Sequence, residues 1–165
     1  MRVTLDRLYT GAGILAGACI VIITLMILAQ IVGRWFGVII PSTEDFSGYL
    51  LASASFLALA HTFRHGGHIR VTLLIHLLPA SWQKKLTFVT LLVFTVMVAW
   101  GAYYLSYLVW ESWEFEELSQ GYIAVPMWIP QFPMALGAII FLIALLDDIF
   151  SFMMGRTPSF IELEE

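Results

Sequence analysis

Four long runs free of Asp, Glu, Lys and Arg divide this chain: residues 8–33, 46–63, 86–110 and 118–146. A helix needs about 20 apolar residues to cross a hydrocarbon core roughly 30 Å thick, so each run is long enough to span, the second only just. The cations between the runs are distributed unevenly. If the N-terminus is cytoplasmic, the inner segments hold Arg2, Arg7, Arg64, Arg70, Lys84, Lys85 and Arg156, and the outer loops hold only Arg34. That is the positive-inside distribution. The expectation is an all-α integral membrane protein with four transmembrane helices, both termini inside and a cytoplasmic tail over 147–165, forming one membrane domain. The spans are placed at about 9–33, 46–63, 86–110 and 122–146.

Composition limits what else the chain can hold. It is 60% hydrophobic and 12% charged over 165 residues, far from soluble averages, and four spans with short connectors leave no length for a soluble catalytic domain. An enzyme is therefore not expected. The net charge of −4 gives no reason to expect a nucleic-acid partner. Lone Cys19 falls within the first run and reads as apolar packing. Arg2 and Arg7 precede an apolar stretch containing Ala16-Gly17-Ala18, which suggests a cleavable signal peptide. A signal core is about 7–15 residues, however, and this run continues through Ile31, so it is expected to remain as a helix.

The second connector is the most informative. Gly66-Gly67 ends the preceding helix, and 69–78 is apolar apart from Arg70 and His76. Ten residues cannot span a bilayer. On a helical projection Val71, Leu74, Ile75 and Leu78 share a face. This predicts a short amphipathic interfacial helix over about 69–79 on the cytoplasmic side, entered by His68 and Arg70 and closed by Pro79. Trp82, Lys84 and Lys85 anchor the return into the third span. An ordinary loop packed under the helices is the simpler alternative. In the fourth run, Pro126, Pro130 and Pro133 predict a regular helix only from about Pro133, with Gly121–Gln131 at the outer interface and Tyr122 and Trp128 in its aromatic belt.

Small residues mark where helices can approach. Gly13 and Gly17 form a GxxxG pair in the first span, and Gly48, Ala52, Ser55 and Ala58 give the second a small-residue surface. Ionisable groups at membrane depth usually mark function, and here they are nearly absent. His61 lies about one turn from the inner end of its span, and Gln30 near the outer end of the first. A secondary carrier would place carboxylates or broken helices near the midplane; none is evident, which argues for a supporting subunit. A self-sufficient small multidrug-type or ion transporter would need such a carboxylate. A haem b anchor subunit would need two facing imidazoles, yet His65, His68 and His76 share one connector and three spans have no histidine. No metal site or other cofactor is expected.

Several ordered features resemble a known family. Arg34 follows the first run, and Glu44 precedes the second after a loop containing Pro41. Arg64-His65-Gly66-Gly67-His68-Ile69-Arg70-Val71 leads into the amphipathic stretch, which closes with Leu77-Leu78-Pro79. Pro126-Met127-Trp128 precedes Pro133 and Gly137. The chain resembles the small membrane subunit (DctQ family) of tripartite ATP-independent periplasmic (TRAP) transporters, departing from it at Thr72, where the family often has Asp. The resemblance implies a symport system of three parts. A periplasmic binding protein captures an organic acid, and a large elevator-type membrane subunit carries it inward with sodium ions. The small subunit is then a scaffold subunit in the bacterial inner (cytoplasmic) membrane, in contact with membrane lipids, with the sodium on the large subunit.

Two sets of residues become candidate contacts on that reading. Arg34 and Glu44, with Gly13 and Gly17, are candidates for the subunit interface. Glu114, Glu116 and Glu117 belong to an outer face with six carboxylates against one arginine, counting Glu44, Asp45 and Glu111. They are candidates for docking the binding protein. Arg34 as a helix-end anchor and the acids as a solvated connector are the simpler alternatives.

Overall fold

The computed structural model describes residues 2–64 and 80–154, which form four helices. They are α1 (Arg2–Trp35), α2 (Thr43–Arg64), α3 (Ala80–Glu114) and α4 (Trp128–Met153), and all four are long and apolar enough to cross a membrane. The chain is an all-α membrane protein. The interfacial helix expected over 69–79, with His68, Arg70, Leu74 and Leu78, lies outside the described residues, as does the tail from 155 onward. Trp82, Lys84 and Lys85 fall in the first two turns of α3.

The helices stand in a row rather than a closed bundle. α1 packs on α2, α2 on α4 and α4 on α3, while α1 and α4 touch only marginally. The spatial order is therefore α1-α2-α4-α3. Such a row leaves apolar side chains exposed on both faces and along its two edges, an arrangement that lipid rather than water tolerates. α4 is the most buried helix and edge helix α1 the least.

Close backbone approach holds the row together. In lipid there is little hydrophobic gain from bringing helices together, so small residues that admit near contact decide the packing. Tyr9, Ala12 and Ala16 of α1, Ala54, Leu57 and Ala60 of α2, and Ile140, Ala144 and Leu145 of α4 form one buried cluster. At Gly137 a Cβ would lie 2.5 Å from the Phe56 carbonyl carbon and 2.7 Å from the Leu57 nitrogen. The α2–α4 crossing therefore exists because residue 137 has no side chain. The expected α2 surface is rotated in part: Ser53, Ala54, Leu57 and Ala60 are buried, whereas Gly48 and Ser55 face outward.

α4 departs from expectation at both ends. It begins at Trp128, five residues before Pro133. Pro130 falls in the first turn, where the missing N–H would have no intrahelical acceptor, and the ladder starts with the Gln131 N–H donating to the Met127 carbonyl (3.3 Å). Only Pro133 removes an internal bond, and the helix continues through it. At the other end it passes Leu146 and runs on to Met153.

The two helices that rise to the connectors end alike. After α1, Gly37 adopts φ +73°, the Val38 N–H reaches the Gly33 carbonyl (2.8 Å) and the Gly37 N–H reaches that of Arg34 (3.2 Å). After α3, Glu116 adopts φ 50°, with Glu117 N–H to Ser112 (3.1 Å) and Glu116 N–H to Trp113 (3.4 Å). Both are Schellman closures, the second made without glycine.

The packing generates a direct test. Gly137→Ala should overpack the α2–α4 crossing and cost about 1–3 kcal/mol, lowering the thermal midpoint of the detergent-solubilised chain. Gly48→Ala adds a methyl group where nothing lies within 4 Å and should leave the midpoint unchanged. Equal midpoints for both variants would contradict the close approach.

Candidate functional site

Arg64, the last residue of α2, joins three helices at one end of the row. Its Nη2 lies 2.9 Å from Asp6 Oδ1 on α1, and its Nη1 lies 3.2 Å from Asp147 Oδ2 and 3.5 Å from Asp148 Oδ1 on α4. The guanidinium also sits 5.4 Å from the centroid of the Tyr9 ring, a cation–π distance. Burial grades across the cluster, from Asp148 at 1% side-chain exposure through Arg64 at 14% and Asp147 at 18% to Asp6 at 56%. The planar fork of arginine presents several donors in fixed directions, which lets one side chain hold α1 and α4 against α2. One turn earlier, His61 packs on Gly13: a Cβ there would lie 2.8 Å from the imidazole Cγ.

The opposite end is tied by backbone bonds to small hydroxyls. Ser42 adopts φ 57°, its carbonyl accepts the Phe46 N–H that opens α2 (3.1 Å), and its Oγ accepts the Ile123 N–H (3.0 Å). The third connector thus reaches back to the start of α2. Within it Leu118 and Pro126 form an antiparallel bridge, closed by Ser119 N–H to Val125 (2.8 Å) and Met127 N–H to Glu117 (2.9 Å). Gly121 lies against Asp45, where a Cβ would meet Oδ2 at 2.5 Å. The connector is a folded cap, and its acids differ accordingly. Glu114, Glu116 and Glu117 are all exposed, but Glu117 is also tied down, accepting the Ser112 hydroxyl (2.7 Å).

The other sequence candidates are dispersed. Arg34 and Glu44 are both exposed and are not paired with each other. Gly13 faces inward onto α2, while Gly17 faces open space. Gly13 is thus an internal contact and Gly17 a surface one. Among the described residues, no group of His, Cys, Asp and Glu is arranged to hold a metal ion.

The Arg64 cluster went unread in the sequence. In sequence Arg64 is an inner cation and the first residue of the Arg64–Val71 signature, while Asp6, Asp147 and Asp148 lie just outside the apolar runs. A signal was nevertheless present: with four spans, the start of the first run and the ends of the second and fourth come to one side, and each of these boundaries carries a charge.

Residues 23–154 match the family described as Tripartite ATP-independent periplasmic transporters, DctQ component. The chain belongs to the DctQ family. Among curated proteins, none matches it. The DctQ match takes in the last part of α1, from residue 23, and all of α2, α3 and α4, and so includes Arg64, Asp147 and Asp148 but not Asp6 or Tyr9. As a DctQ component the chain is the small membrane subunit of a bacterial TRAP transporter, a multi-pass protein of the inner membrane. DctQ is a transporter component and not an enzyme family. A tripartite system implies a large membrane subunit and a periplasmic binding protein as partners.

The cluster predicts an asymmetry between substitutions. Arg64→Met leaves the nearly inaccessible Asp148 without its guanidinium partner, and breaking a buried pair costs roughly 3–5 kcal/mol. Arg64→Lys retains the charge but lacks the fork, so it should fall between wild type and Met. Asp6→Asn, at the exposed arm, should cost about 0–1 kcal/mol. Chemical or thermal unfolding of the purified chain checks the order; an Asp6 variant as unstable as Arg64→Met would contradict it.

Proposed function

We propose that this DctQ chain is the static scaffold of a sodium-driven importer of an organic acid, packed against a large elevator-type membrane subunit with both termini in the cytoplasm. One observation carries the reading. The four helices form a row fastened at both ends, by Arg64 on one side and the Ser42–Ile123 bond on the other. The 8–33, 46–63, 86–110 and 118–146 runs between those fastenings contain no carboxylate, lysine or arginine. A protein that moves an ion or an acid through its own middle needs groups there to exchange for the solvation lost. This chain's charges sit instead where they join helices. Membership in DctQ also displaces the haem-anchor and self-sufficient transporter readings.

Substrate capture and sodium coupling then belong to the partners. The seven-to-one division of Lys and Arg supports placing the Arg64 end in the cytoplasm. Trp82, Lys84 and Lys85 would anchor the start of α3 there. The folded cap over 115–127 would face the periplasm, with the exposed carboxylates of Glu116 and Glu117 available to orient a binding protein, since charge complementarity raises encounter rates and fixes orientation. Arg34 and Glu44, exposed and not paired with each other, are available to the large subunit on the same side.

Reconstitution tests the proposal. The chain alone in liposomes should transport no organic acid under a sodium gradient. Addition of the large subunit and the loaded binding protein should restore uptake, and leaving out this chain should abolish it. Sodium-dependent uptake by the chain alone would contradict the scaffold reading.

A further inference from the structure

The two edges of the helix row differ in chemistry. From Ile14 to Leu28 the outward side of α1 is aliphatic, with Ile14, Leu15, Val21, Ile22, Leu25 and Leu28 exposed, and only nearer its start does it carry the exposed Arg7 and Thr10. α3, at the other edge, presents a face that changes character along the helix. At 100° per residue, Leu86, Val89, Val93, Val96 and Met97 share that face in its first half. Trp100, Tyr103, Tyr104, Tyr107 and Trp110 continue the same face, and Glu111 and Glu114 complete it. The aliphatic and aromatic members are all exposed, while Leu91, Thr95 and Ala102 on the opposite side are buried, on the helix side that packs on α4.

The aromatic segment begins too far from the helix end to be only an interfacial belt, since Trp100 lies near the middle of the charge-free run 86–110. From Trp100 to Trp110 the helix rises about 15 Å, roughly half of the hydrocarbon thickness. The rings are organised, with Trp100 on Tyr104 at 4.9 Å, Tyr103 on Tyr104 at 5.4 Å and Tyr107 on Trp110 at 5.8 Å between centroids. Their hydroxyls are not satisfied within the described residues. Smaller hydroxyls in the spans bond their own helix: Thr24, Ser53, Ser55, Thr95 and Ser106 each donate to the carbonyl four residues back, at 2.7–2.9 Å. A tyrosine hydroxyl extends away from its own backbone and cannot do so. Acyl chains offer no acceptor, and a polar group desolvated without one is costly.

We infer that this α3 edge docks the large membrane subunit, which supplies acceptors to Tyr103, Tyr104 and Tyr107 and a basic rim to Glu111 and Glu114. The inference rests on the scaffold reading and adds the face through which the scaffold is joined. Hydroxyl donors and two carboxylates on one strip, Glu111 half-buried and Glu114 exposed, define the partner: a membrane protein with acceptors at matching depth and a cationic group just above them. In a tripartite transporter the large membrane subunit spans at that depth. The α1 edge, aliphatic between Ile14 and Leu28 with its exposed Thr24 hydroxyl bonded to its own helix, is left to lipid.

The test uses the full chain coexpressed with its large subunit and purified as the complex. A photo-crosslinking amino acid at position 104 or 107 should give an adduct with the large subunit, and one at position 21 or 25 of α1 should give none. Adducts from 21 with none from 104, in an intact complex, would overturn the assignment of the face while leaving the scaffold reading standing. Adducts from 104 only to lipid or to a second copy would overturn it as well. Failure of the wild-type pair to copurify would overturn both. In a second measurement the combined Tyr103→Phe, Tyr104→Phe and Tyr107→Phe variant keeps the rings and removes the hydroxyls. Loss of three hydrogen bonds should weaken association about tenfold or more, with the thermal midpoint of the isolated chain unchanged. Undiminished association would contradict the role of the hydroxyls.

Discussion

Lipid provides little force that gathers apolar helices, and the architecture of this chain follows from that constraint. Association must come from near backbone contact and from polar groups that find each other rather than headgroups or water. The Gly137 crossing provides the first and the Arg64 cluster the second. The two have different reach. Gly137 brings α2 and α4 together at one point along their length, whereas Arg64 joins α1, α2 and α4 at their shared end. Asp147 and Asp148 can lie inside a helix that leaves the apolar core because a guanidinium meets them there. Removing that guanidinium would take a cation away from a nearly inaccessible carboxylate.

A row has consequences that a closed bundle would not. In a bundle every helix hides one side from lipid, and the polar contacts converge on an axis suited to a pathway or a cofactor. In the α1-α2-α4-α3 order the inner helices are covered on two sides, and the edge helices keep an open flank. The proposed role as a scaffold uses that shape: a flat layer widens whatever it adjoins without enclosing anything. α1 and α3, at 34 and 35 residues, are about 50 Å long and exceed the hydrocarbon thickness. They must therefore tilt or project beyond it.

The sequence made the spans legible because hydrophobic length is a one-dimensional property. Charge-free runs such as 86–110 mark a crossing whatever surrounds them. Neighbour relations were not legible, since nothing in α3 states that it packs on α4 rather than on α2. The start of α4 differs from the expectation because what matters is where each proline falls: Pro130 in a first turn costs the helix nothing, while Pro133 costs it one bond. The clamp went unread because Asp6, Arg64, Asp147 and Asp148 are distant in sequence and each looks like an ordinary flanking charge. Family likeness, by contrast, lay in short ordered signatures, and the match over 23–154 agrees with it.

The central claim is that this chain stays rigid while its partner moves. Pulsed-dipolar distances between spin labels at Ile14 on α1 and Phe150 on α4, both exposed, test it in the assembled transporter. The account predicts one unchanged distance distribution without ligands, with sodium, and with sodium and loaded binding protein. A distribution that shifts or splits when sodium and substrate are added would show the row opening during transport, and would contradict a static scaffold.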